Sequence, residues 1–415
     1  MIEGKIIKFY RQLRNITQSE LGEGICSTTH ISKIERGITE VSDHTITLLA
    51  ERLDINMQKE IQTYMSLDTL LKEWLQSIIM KITIKAERLK DQIEAIPLIK
   101  LSNFVQFYTL ILAKYYLFTN NKKLVEKKLK KIDHFKNLSA FEENLHLHNK
   151  AIYELYFNRN FVEAISLLKD IKENDYNKEF HFELAHAYHW INSNVLAYKH
   201  AIKALQFFTE TQCFSRVIAT ENLMLILISE TDNSNISGDE YHRLIEMSLQ
   251  YGQNDQIGIS YHNFAYHKLR EKRYMEASEY FMKASNLFDK ETKPHYYLFS
   301  FEGYLNSMAK GKLLSNKELL TLVEEGLYIA QKSDAQMWIH IFTLHKFNLL
   351  NLKDEYFHYL ETKLLPFFNV VGINEAIKQY QMKLFNYYLE KQDEKKANLL
   401  AQTIINKLQN YDHFV

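Results

Sequence analysis

The sequence predicts an all-α protein, and three observations lead to that class. The chain has 415 residues, of which 46% are hydrophobic, enough to bury a sizeable core. Only 3 prolines and 11 glycines occur, whereas residues that favour helices, such as Leu, Lys, Glu and Gln, are abundant. A two-helix pattern also repeats along most of the chain. We therefore expect a small helical N-terminal domain followed by a long array of helical hairpins.

The first helix is predicted over residues 5 to 14. Its spacing places Ile6, Phe9, Tyr10 and Leu13 on one face, with lysines and arginines elsewhere. This pattern is typical of a basic amphipathic helix that packs on a small core.

A capping box predicts the start of the second helix. Thr17 can accept a hydrogen bond from the backbone of Glu20, and the Glu20 carboxylate can reach back to Thr17. A third helix follows, capped by Ser27 and ended by Gly37, since glycine readily adopts the left-handed conformation. Two short helices joined by a tight turn are typical of a helix-turn-helix, whose second helix lies in the major groove of DNA.

The start of the third helix carries the predicted DNA-contacting side chains. In a helix-turn-helix the first residues of this helix face the base edges, and here those residues are polar. We expect contacts to double-stranded DNA from Ser27, Thr28, Thr29, His30 and Lys33. A small helical bundle with a similarly capped helix is the alternative interpretation.

The motifs TQSELG and HISKIERG resemble the Cro/repressor-type helix-turn-helix of many bacterial regulators, over about residues 4 to 65. The resemblance implies that Gln18 contacts a DNA phosphate at the start of the second helix. It also implies that Glu35 is structural and pairs with an arginine of the first helix. We therefore assign residues 1–65 to a DNA-binding domain.

Charge is balanced both in the whole chain and in this domain. The chain contains 51 Lys and Arg against 51 Asp and Glu, so no net charge attracts nucleic acid. Residues 1–65 contain eight Lys and Arg against nine Asp and Glu, which is less basic than DNA-binding domains commonly are. Because one such domain reads only a few base pairs, we expect a homodimer or higher homo-oligomer on DNA.

The rest of the chain is predicted to contain connecting helices over residues 66–100 and about seven to nine tetratricopeptide-like hairpins over residues 101–415. The clearest repeat is SYHNFAYHKLREKRYMEASEYFMKASNLF, where small and aromatic residues occupy the packing positions of that repeat. Those residues are Tyr261, Phe264, Ala265, Tyr274, Ala277, Phe281 and Ala284. Since one hairpin cannot bury its apolar face alone, we expect a right-handed superhelix whose concave side is lined by the first helix of each pair.

Asparagine recurs on the predicted first helices, at intervals of 38 to 43 residues from position 222 onward. The series comprises Asn149, Asn222, Asn263, Asn306, Asn348 and Asn386. A side-chain amide both donates and accepts, so a row of them can pair with the backbone of an extended peptide. We expect the series to bind a short peptide; alternatively, asparagine merely occupies solvated positions.

A helix-turn-helix head joined to a tetratricopeptide body resembles the bacterial peptide-pheromone receptors of the Rap, NprR and PlcR group, and the chain length is more similar to NprR than to PlcR. The resemblance implies a cytoplasmic quorum-sensing transcription regulator that binds a DNA operator under the control of a short imported signalling peptide. A second hypothesis is a Rap-like scaffold that captures a phosphorelay protein, also under peptide control.

Other chemistry is not expected. Cys26 and Cys213 are far apart in sequence and fit a reducing cytosol, and histidines such as His181 and His186 lack ligand partners at metal-binding spacing. We therefore expect neither metal nor cofactor. Glycine-rich phosphate loops and nucleophile elbows do not occur, so an enzyme is not predicted. The most apolar stretch, FVQFYTLILAKYYLF, contains Lys114 and is too short to span a bilayer.

Overall fold

The computed structural model describes residues 1–229, 238–252, 254–371 and 374–412. Within these residues all regular structure is helical and no strand occurs, which confirms the predicted all-α class. None of the described helices combines the length and the apolar character needed to cross a membrane.

The helices divide between two compact units, Met1–Asn149 and Lys150–Val415. The first eight helices are α1 (Ile2–Leu13), α2 (Gln18–Gly22), α3 (Thr28–Arg36), α4 (Asp43–Arg52), α5 (Met57–Ile79), α6 (Thr83–Glu94), α7 (Ser102–Phe118) and α8 (Lys122–Ile132). They are followed by α9 (Ala140–Tyr153), α10 (Phe161–Lys169), α11 (Phe180–Trp190), α12 (Asn194–Glu210), α13 (Phe214–Ser229), α14 (Gly238–Gln250), α15 (Asn254–Arg270) and α16 (Tyr274–Asn286). The last seven are α17 (Pro294–Lys310), α18 (Asn316–Lys332), α19 (Gln336–Leu349), α20 (Lys353–Tyr359), α21 (Leu365–Val371), α22 (Asn374–Glu390) and α23 (Glu394–Asp412).

Four short elements lie between these helices. Two are 3-10 turns and two are π-type turns, and both types occur where an α-helix starts, ends or is interrupted. The 3-10 turns are Pro97–Lys100 and Glu173–Asp175, and the π-type turns are Glu154–Asn158 and Leu360–Leu364.

The head, α1 to α4, is built around the contact of α1 with α3. Ile6 and Ile7 of α1 are fully buried, whereas Leu13, predicted on the same apolar face, is 49% exposed in the last turn. A Cβ atom at Gly4 would lie only 2.1 Å from the carbonyl oxygen of Ile34. The two helices thus approach more closely than any residue with a side chain would allow.

Helix α5 belongs to both the head and the first helical hairpin. It starts beside the head, where the Tyr10 hydroxyl donates to a Glu60 carboxylate oxygen at 2.7 Å. At its other end Trp74 is fully buried and stacks on Tyr108 of α7, with ring centroids 5.9 Å apart. The predicted boundary between residues 65 and 66 therefore falls inside one continuous helix.

The second unit consists of helices that pack in sequence as hairpins, such as α11 with α12, α15 with α16 and α17 with α18. In the α15–α16 hairpin Ala265, Ala277, Phe281 and Ala284 are fully buried and Phe264 is nearly so, as the repeat pattern predicted. The first helices also contact one another, α11 with α13, α13 with α15, and α15 with α17. The first helices therefore form one continuous layer, which confirms the tetratricopeptide-like fold.

The turns inside these hairpins share a backbone conformation. A non-glycine residue with positive φ, between 52° and 61°, joins the two helices at Asn192, Lys272, Lys312, Asn351 and Gln392. A single left-handed residue ends the first helix and lets the second fold back against it.

Candidate DNA-binding face and candidate peptide groove

The two helices of the helix-turn-helix begin and end where their capping residues dictate. The Thr17 amide donates to the Glu20 carboxylate at 2.7 Å and the Glu20 amide donates to the Thr17 hydroxyl at 3.1 Å, which completes the predicted capping box. Ser27 accepts from the backbone of His30 at 3.3 Å and starts α3, and Gly37, with φ of 69°, ends it.

Helix α3 has one buried and one exposed side. Ile31 and Ile34 are fully buried against the head. The opposite side carries the side chains predicted to contact DNA: Ser27, Thr28, Thr29 and Lys33 are exposed and His30 is half-buried. The structure thus brings five of the predicted residues together on one accessible polar face at the start of α3.

A buried carboxylate connects the three helices of this motif. Glu35, 7% exposed, accepts from Arg11 Nε at 2.5 Å and from Arg11 Nη2 at 3.0 Å. This is the predicted pairing with an arginine of the first helix, and it raises the pKa of Arg11. Gln18 Nε2 also donates to Glu35, at 2.8 Å. The amide nitrogen of Gln18 therefore orients α2 against α3, and its contact with a DNA phosphate stays a prediction.

Arg52 makes a contact that the sequence pattern did not reveal. From the last turn of α4 its Nη1 donates to the carbonyl oxygens of Leu21 at 3.1 Å, Glu20 at 3.4 Å, and Glu23. The carbonyls at the end of a helix have no partner inside that helix. Arg52 satisfies them in α2 and so holds the turn that precedes α3.

In the second unit, Tyr156 lies near ionisable groups of three of the first helices. It is 42% exposed, yet burial of its hydroxyl among the surrounding helices raises its pKa, and Glu183 of α11 raises it further. Arg216 of α13 acts in the opposite direction, and Tyr296 of α17 also lies within electrostatic range. Groups on three different helices thus shift the pKa of this one side chain. Ionisable groups of α11, α13 and α17 thus lie near Tyr156, and we call the surface shared by these first helices the groove.

A charged pair lies in the wall of the groove. Arg216 Nη2 is 3.6 Å from a carboxylate oxygen of Glu183, and the two side chains are only 14% and 3% exposed. The Arg216 guanidinium also lies over the ring of Phe182, 4.6 Å from its centroid. This part of the wall therefore combines positive charge with an aromatic surface.

The later helices of the second unit continue the groove. Glu302 of α17 lies 2.9 Å from Nε2 of His345 on α19. Burial lowers the pKa of Lys383 on α22, Lys310 of α17 lowers it further, and Glu302 opposes both effects. Three successive first helices therefore direct charged side chains toward the same region.

A line of hydrogen bonds joins the first helices at the level of the predicted asparagines. Asn222 is 3% exposed, and its Nδ2 donates to Ser260 Oγ at 2.9 Å. Asn263 Nδ2 donates to Asn222 Oδ1 at 3.2 Å. One helix further on, His262 Nδ1 lies 3.1 Å from Ser300 Oγ. Asn222 is thus committed to protein contacts, whereas Asn263 is half-buried and contributes its nitrogen to this line.

Asn306 lies on the side of α17 that faces the groove. Tyr296, Phe299, Glu302 and Asn306 follow one another at intervals of three or four residues, which places them on one helical face. Tyr296 and Phe299 are both 51% exposed. Asn306 therefore continues an accessible face of aromatic and polar side chains.

Asn348 and Asn386 are both exposed. Asn348 lies one helical turn beyond His345, which contacts Glu302. Asn386 lies one turn beyond Lys383, whose pKa Glu302 affects. Their positions agree with a row of amides along the groove.

Asn149 is placed differently from the other members of the series. It lies in the first unit, is fully buried, and its Nδ2 donates to the carbonyl oxygen of Leu110 at 3.0 Å. A side chain with no exposed surface offers no atom to a peptide, and this one ties α9 to α7. The position of Asn149 therefore does not fit the predicted peptide-binding row.

Two histidines of the second unit form a polar pair. His181 and His200 face each other with their Nδ1 atoms 3.1 Å apart, and burial lowers the pKa of both to about 4. Within the described part of the chain, His, Cys, Asp and Glu side chains form no group of three that could hold a metal ion.

Comparison with known proteins agrees with this two-part organisation. A helix-turn-helix family model matches residues 7–59, which cover most of the head and the start of α5. No curated protein matches the chain in sequence.

Three solved structures align with this chain over almost their whole length. A Rap protein in complex with competence and sporulation factor has a TM-score of 0.66 at 18% identity, over 84% of this chain and 99% of that one. The apo form of the quorum sensor NprR from B. thuringiensis has a TM-score of 0.63 at 16% identity, over 85% and 99%. NprR in complex with its cognate peptide NprX has a TM-score of 0.61 at 18% identity, over 84% and 99%.

These findings define the class of protein: an all-helical chain with an N-terminal helix-turn-helix and the repeat fold of the Rap and NprR structures. The predicted resemblance to that group is confirmed for the helix-turn-helix and for the fold.

Proposed function

We propose that this protein is a cytoplasmic transcription regulator that binds duplex DNA through α3 and responds to a short signalling peptide bound in the groove. The observation that carries the DNA-binding part is the exposed polar face of Ser27, Thr28, Thr29, His30 and Lys33 on a helix fixed from behind by Glu35. Hydroxyl, imidazole and ammonium groups are suited to contact base edges and phosphates.

The peptide-binding part rests on the row Asn263, Asn306, Asn348 and Asn386 beside the accessible aromatic side chains of the groove. Amides spaced along successive helices can satisfy the donors and acceptors of an extended backbone without reading its sequence. The fold shared with NprR in complex with NprX, and with a Rap protein in complex with competence and sporulation factor, supports a peptide as the ligand.

One experiment tests both parts. Duplexes selected from a random pool by the purified protein would define an operator, and the operator affinity would then be titrated with peptides encoded by neighbouring small reading frames. We expect a selected sequence and a change in operator affinity with one peptide. A protein that selects no sequence would refute the DNA-binding part, and an operator affinity that no peptide alters would argue against peptide control.

The proposal includes a homodimer on DNA. One head contacts too few base pairs to single out a site in a genome, so two heads are expected on half-sites about one helical turn, or a multiple of it, apart. A footprint of one isolated half-site occupied by a monomer would contradict this arrangement.

A second candidate function is capture of a phosphorelay protein, and the similarity to a Rap structure favours it. In this case the body binds a protein partner, and the peptide releases that partner. Co-purification with phosphorelay proteins in the absence and presence of peptide distinguishes this function from DNA binding.

A further inference from the structure

Helix α8 carries an unusual concentration of positive charge. Its sequence, KKLVEKKLKKI, contains six lysines and one glutamate. Val125, Leu129 and Ile132 form the buried side of the helix. Lys123, Lys127 and Lys131 are spaced by four residues on the exposed side and form a lysine stripe along the helix.

The lysine stripe has no counter-charge. Among the described residues no carboxylate forms an ion pair with Lys123, Lys127 or Lys131, whereas Glu126 of the same helix is 2.7 Å from Lys130. Like charges four residues apart on a helix repel each other and destabilise it. Burial lowers the pKa of Lys128, and the positive charges of Lys131 and Lys127 lower it further, while Glu94 acts in the opposite direction. An anionic partner would relieve this repulsion.

The stripe and the head lie in the same compact unit, and contacts between helices define which end of α8 is nearer to the head. At the head, α1 meets α5 through the hydrogen bond between Tyr10 and Glu60. One turn further along α5, Asn103 at the start of α7 donates to the Tyr64 hydroxyl at 3.2 Å. The start of α7 is therefore at the end of the bundle that carries the head.

The C-terminal end of α8 reaches the same level. Gln106, one turn after Asn103 in α7, donates to the carbonyl oxygen of Lys136 at 3.3 Å, just beyond the end of α8. Lys131 precedes Lys136 by only five residues, and Lys123 lies about 12 Å further from the head at the helical rise of about 1.5 Å per residue. The Lys131 end of the stripe is therefore the end nearer to the head, and the stripe runs away from it.

We propose that the lysine stripe of α8 binds the phosphate backbone of duplex DNA next to the site contacted by α3. This inference rests on the DNA-binding function proposed above. Residues 1–65, which include the head, hold eight Lys and Arg against nine Asp and Glu, so they supply little of the sequence-independent attraction on which DNA binding depends. A second contact in the same unit supplies the missing charge and binds without reading sequence.

The test compares the wild-type protein with a variant in which Lys123, Lys127 and Lys131 are replaced by Gln. Glutamine keeps the helix propensity and removes the charge. Operator affinity is measured against salt concentration on two duplexes, the selected operator alone and the operator extended by about ten base pairs on each side. On the extended duplex, the magnitude of the negative slope of log affinity against log salt should decrease by about 0.9 for each lysine replaced in each protomer. At about 0.1 M salt the affinity should fall at least about tenfold, while affinity for the short operator changes little.

Two controls complete the experiment. Replacement of Lys178, Lys317 and Lys395 by Gln removes the same charge from exposed positions of the second unit and should leave the salt slope unchanged. Replacement of the stripe lysines by Arg keeps the positive charge and should retain the wild-type salt slope. A Gln variant with the wild-type slope on the extended duplex overturns the proposal and makes an acidic protein surface the ligand to test next. Failure of the wild type to bind any operator would instead refute the DNA-binding function.

Discussion

The amide nitrogen of Asn263 lies 3.2 Å from the amide oxygen of Asn222, across the contact between α15 and α13. Asn222 is itself fixed, because it is almost fully buried and donates to Ser260 at 2.9 Å. The two asparagines therefore differ in role. Asn222 is a buried acceptor that holds the amide nitrogen of Asn263, and Asn263 is itself half-buried.

Replacing Asn263 by Ala should weaken peptide binding about tenfold to a hundredfold. The change removes hydrogen bonds in a partly desolvated site and leaves peptide groups unpaired, which costs about 1 to 3 kcal/mol. Calorimetric titration with the peptide that alters operator affinity measures the effect. Asn306→Ala should behave in the same way.

Asn149→Ala provides the matched control. It removes the same amide from a buried tether to Leu110, so we expect lower stability against urea and unchanged peptide affinity. Equal peptide affinity in wild type, Asn263→Ala and Asn306→Ala would show that the groove recognises peptide through other residues.

Replacing Thr28, Thr29 and Lys33 together by Ala should abolish selective operator binding. All three side chains are exposed, so the fold should be retained, while each well-formed base contact contributes about 1 to 3 kcal/mol to discrimination. A gel-shift titration against the selected operator and a scrambled duplex measures the loss. Lys317→Ala with Thr321→Ala, both exposed in α18, is the control, and unchanged operator affinity in the triple variant would disprove the assignment of α3.

Glu35→Ala should destabilise the head and thereby lower operator affinity. The change leaves the guanidinium of Arg11, 13% exposed in its side chain, without its carboxylate, and it also removes the acceptor of Gln18. Loss of one partner of a buried ion pair costs about 3 to 5 kcal/mol. Hydrogen exchange of α1 and α3 amides reports on the head directly. Glu35→Gln keeps an acceptor oxygen, so its hydrogen-exchange rates should lie between those of wild type and Glu35→Ala. Unchanged exchange in Glu35→Ala would contradict the role of this pair.

Much of the head could be predicted from sequence because local interactions determine it. The capping box of Thr17 and Glu20, the cap at Ser27 and the left-handed Gly37 all act within a few residues, and each is found where the pattern placed it. The contact of Arg52 with the carbonyls of α2 could not be predicted, since it spans about thirty residues and no spacing rule connects an arginine to backbone oxygens of another helix.

The asparagine series shows the limit of repeat spacing. An interval near the repeat length identifies equivalent positions on successive helices, but it does not distinguish a side chain that faces the groove from one that ties two helices together. Asn149 and Asn222 are buried and bonded to the protein, whereas Asn348 and Asn386 are exposed. The left-handed turns of the hairpins could not be predicted either, because residues such as Lys272 and Gln392 adopt positive φ there although they are not glycine.

His262 should make the stability of the second unit depend on pH. The residue is 7% exposed, and the centroid of its ring lies 4.0 Å from that of Phe299. Its Nδ1 atom is hydrogen-bonded with the hydroxyl of Ser300. Burial lowers its pKa from 6.5 to about 4, while Glu302 acts in the opposite direction. The folded state therefore binds this proton less readily than the unfolded state. The stability associated with neutral His262 is complete above about pH 6.5 and is lost as the pH falls toward 4, by up to about 3 kcal/mol.

Replacing His262 by Phe tests this dependence, because Phe keeps the aromatic packing and cannot be protonated. The hydroxyl of Ser300 can then bond to a carbonyl of its own helix, as Ser307 does to Gly303 at 2.8 Å. Urea unfolding of both proteins between about pH 7.5 and 4.5 should show a steeper loss of unfolding free energy in wild type. His181, His186 and His200, whose pKa values burial also lowers to about 4, contribute to both curves and cancel in the difference. Parallel curves would mean that His262 is solvated in the native state or that its protonation is accommodated by Glu302.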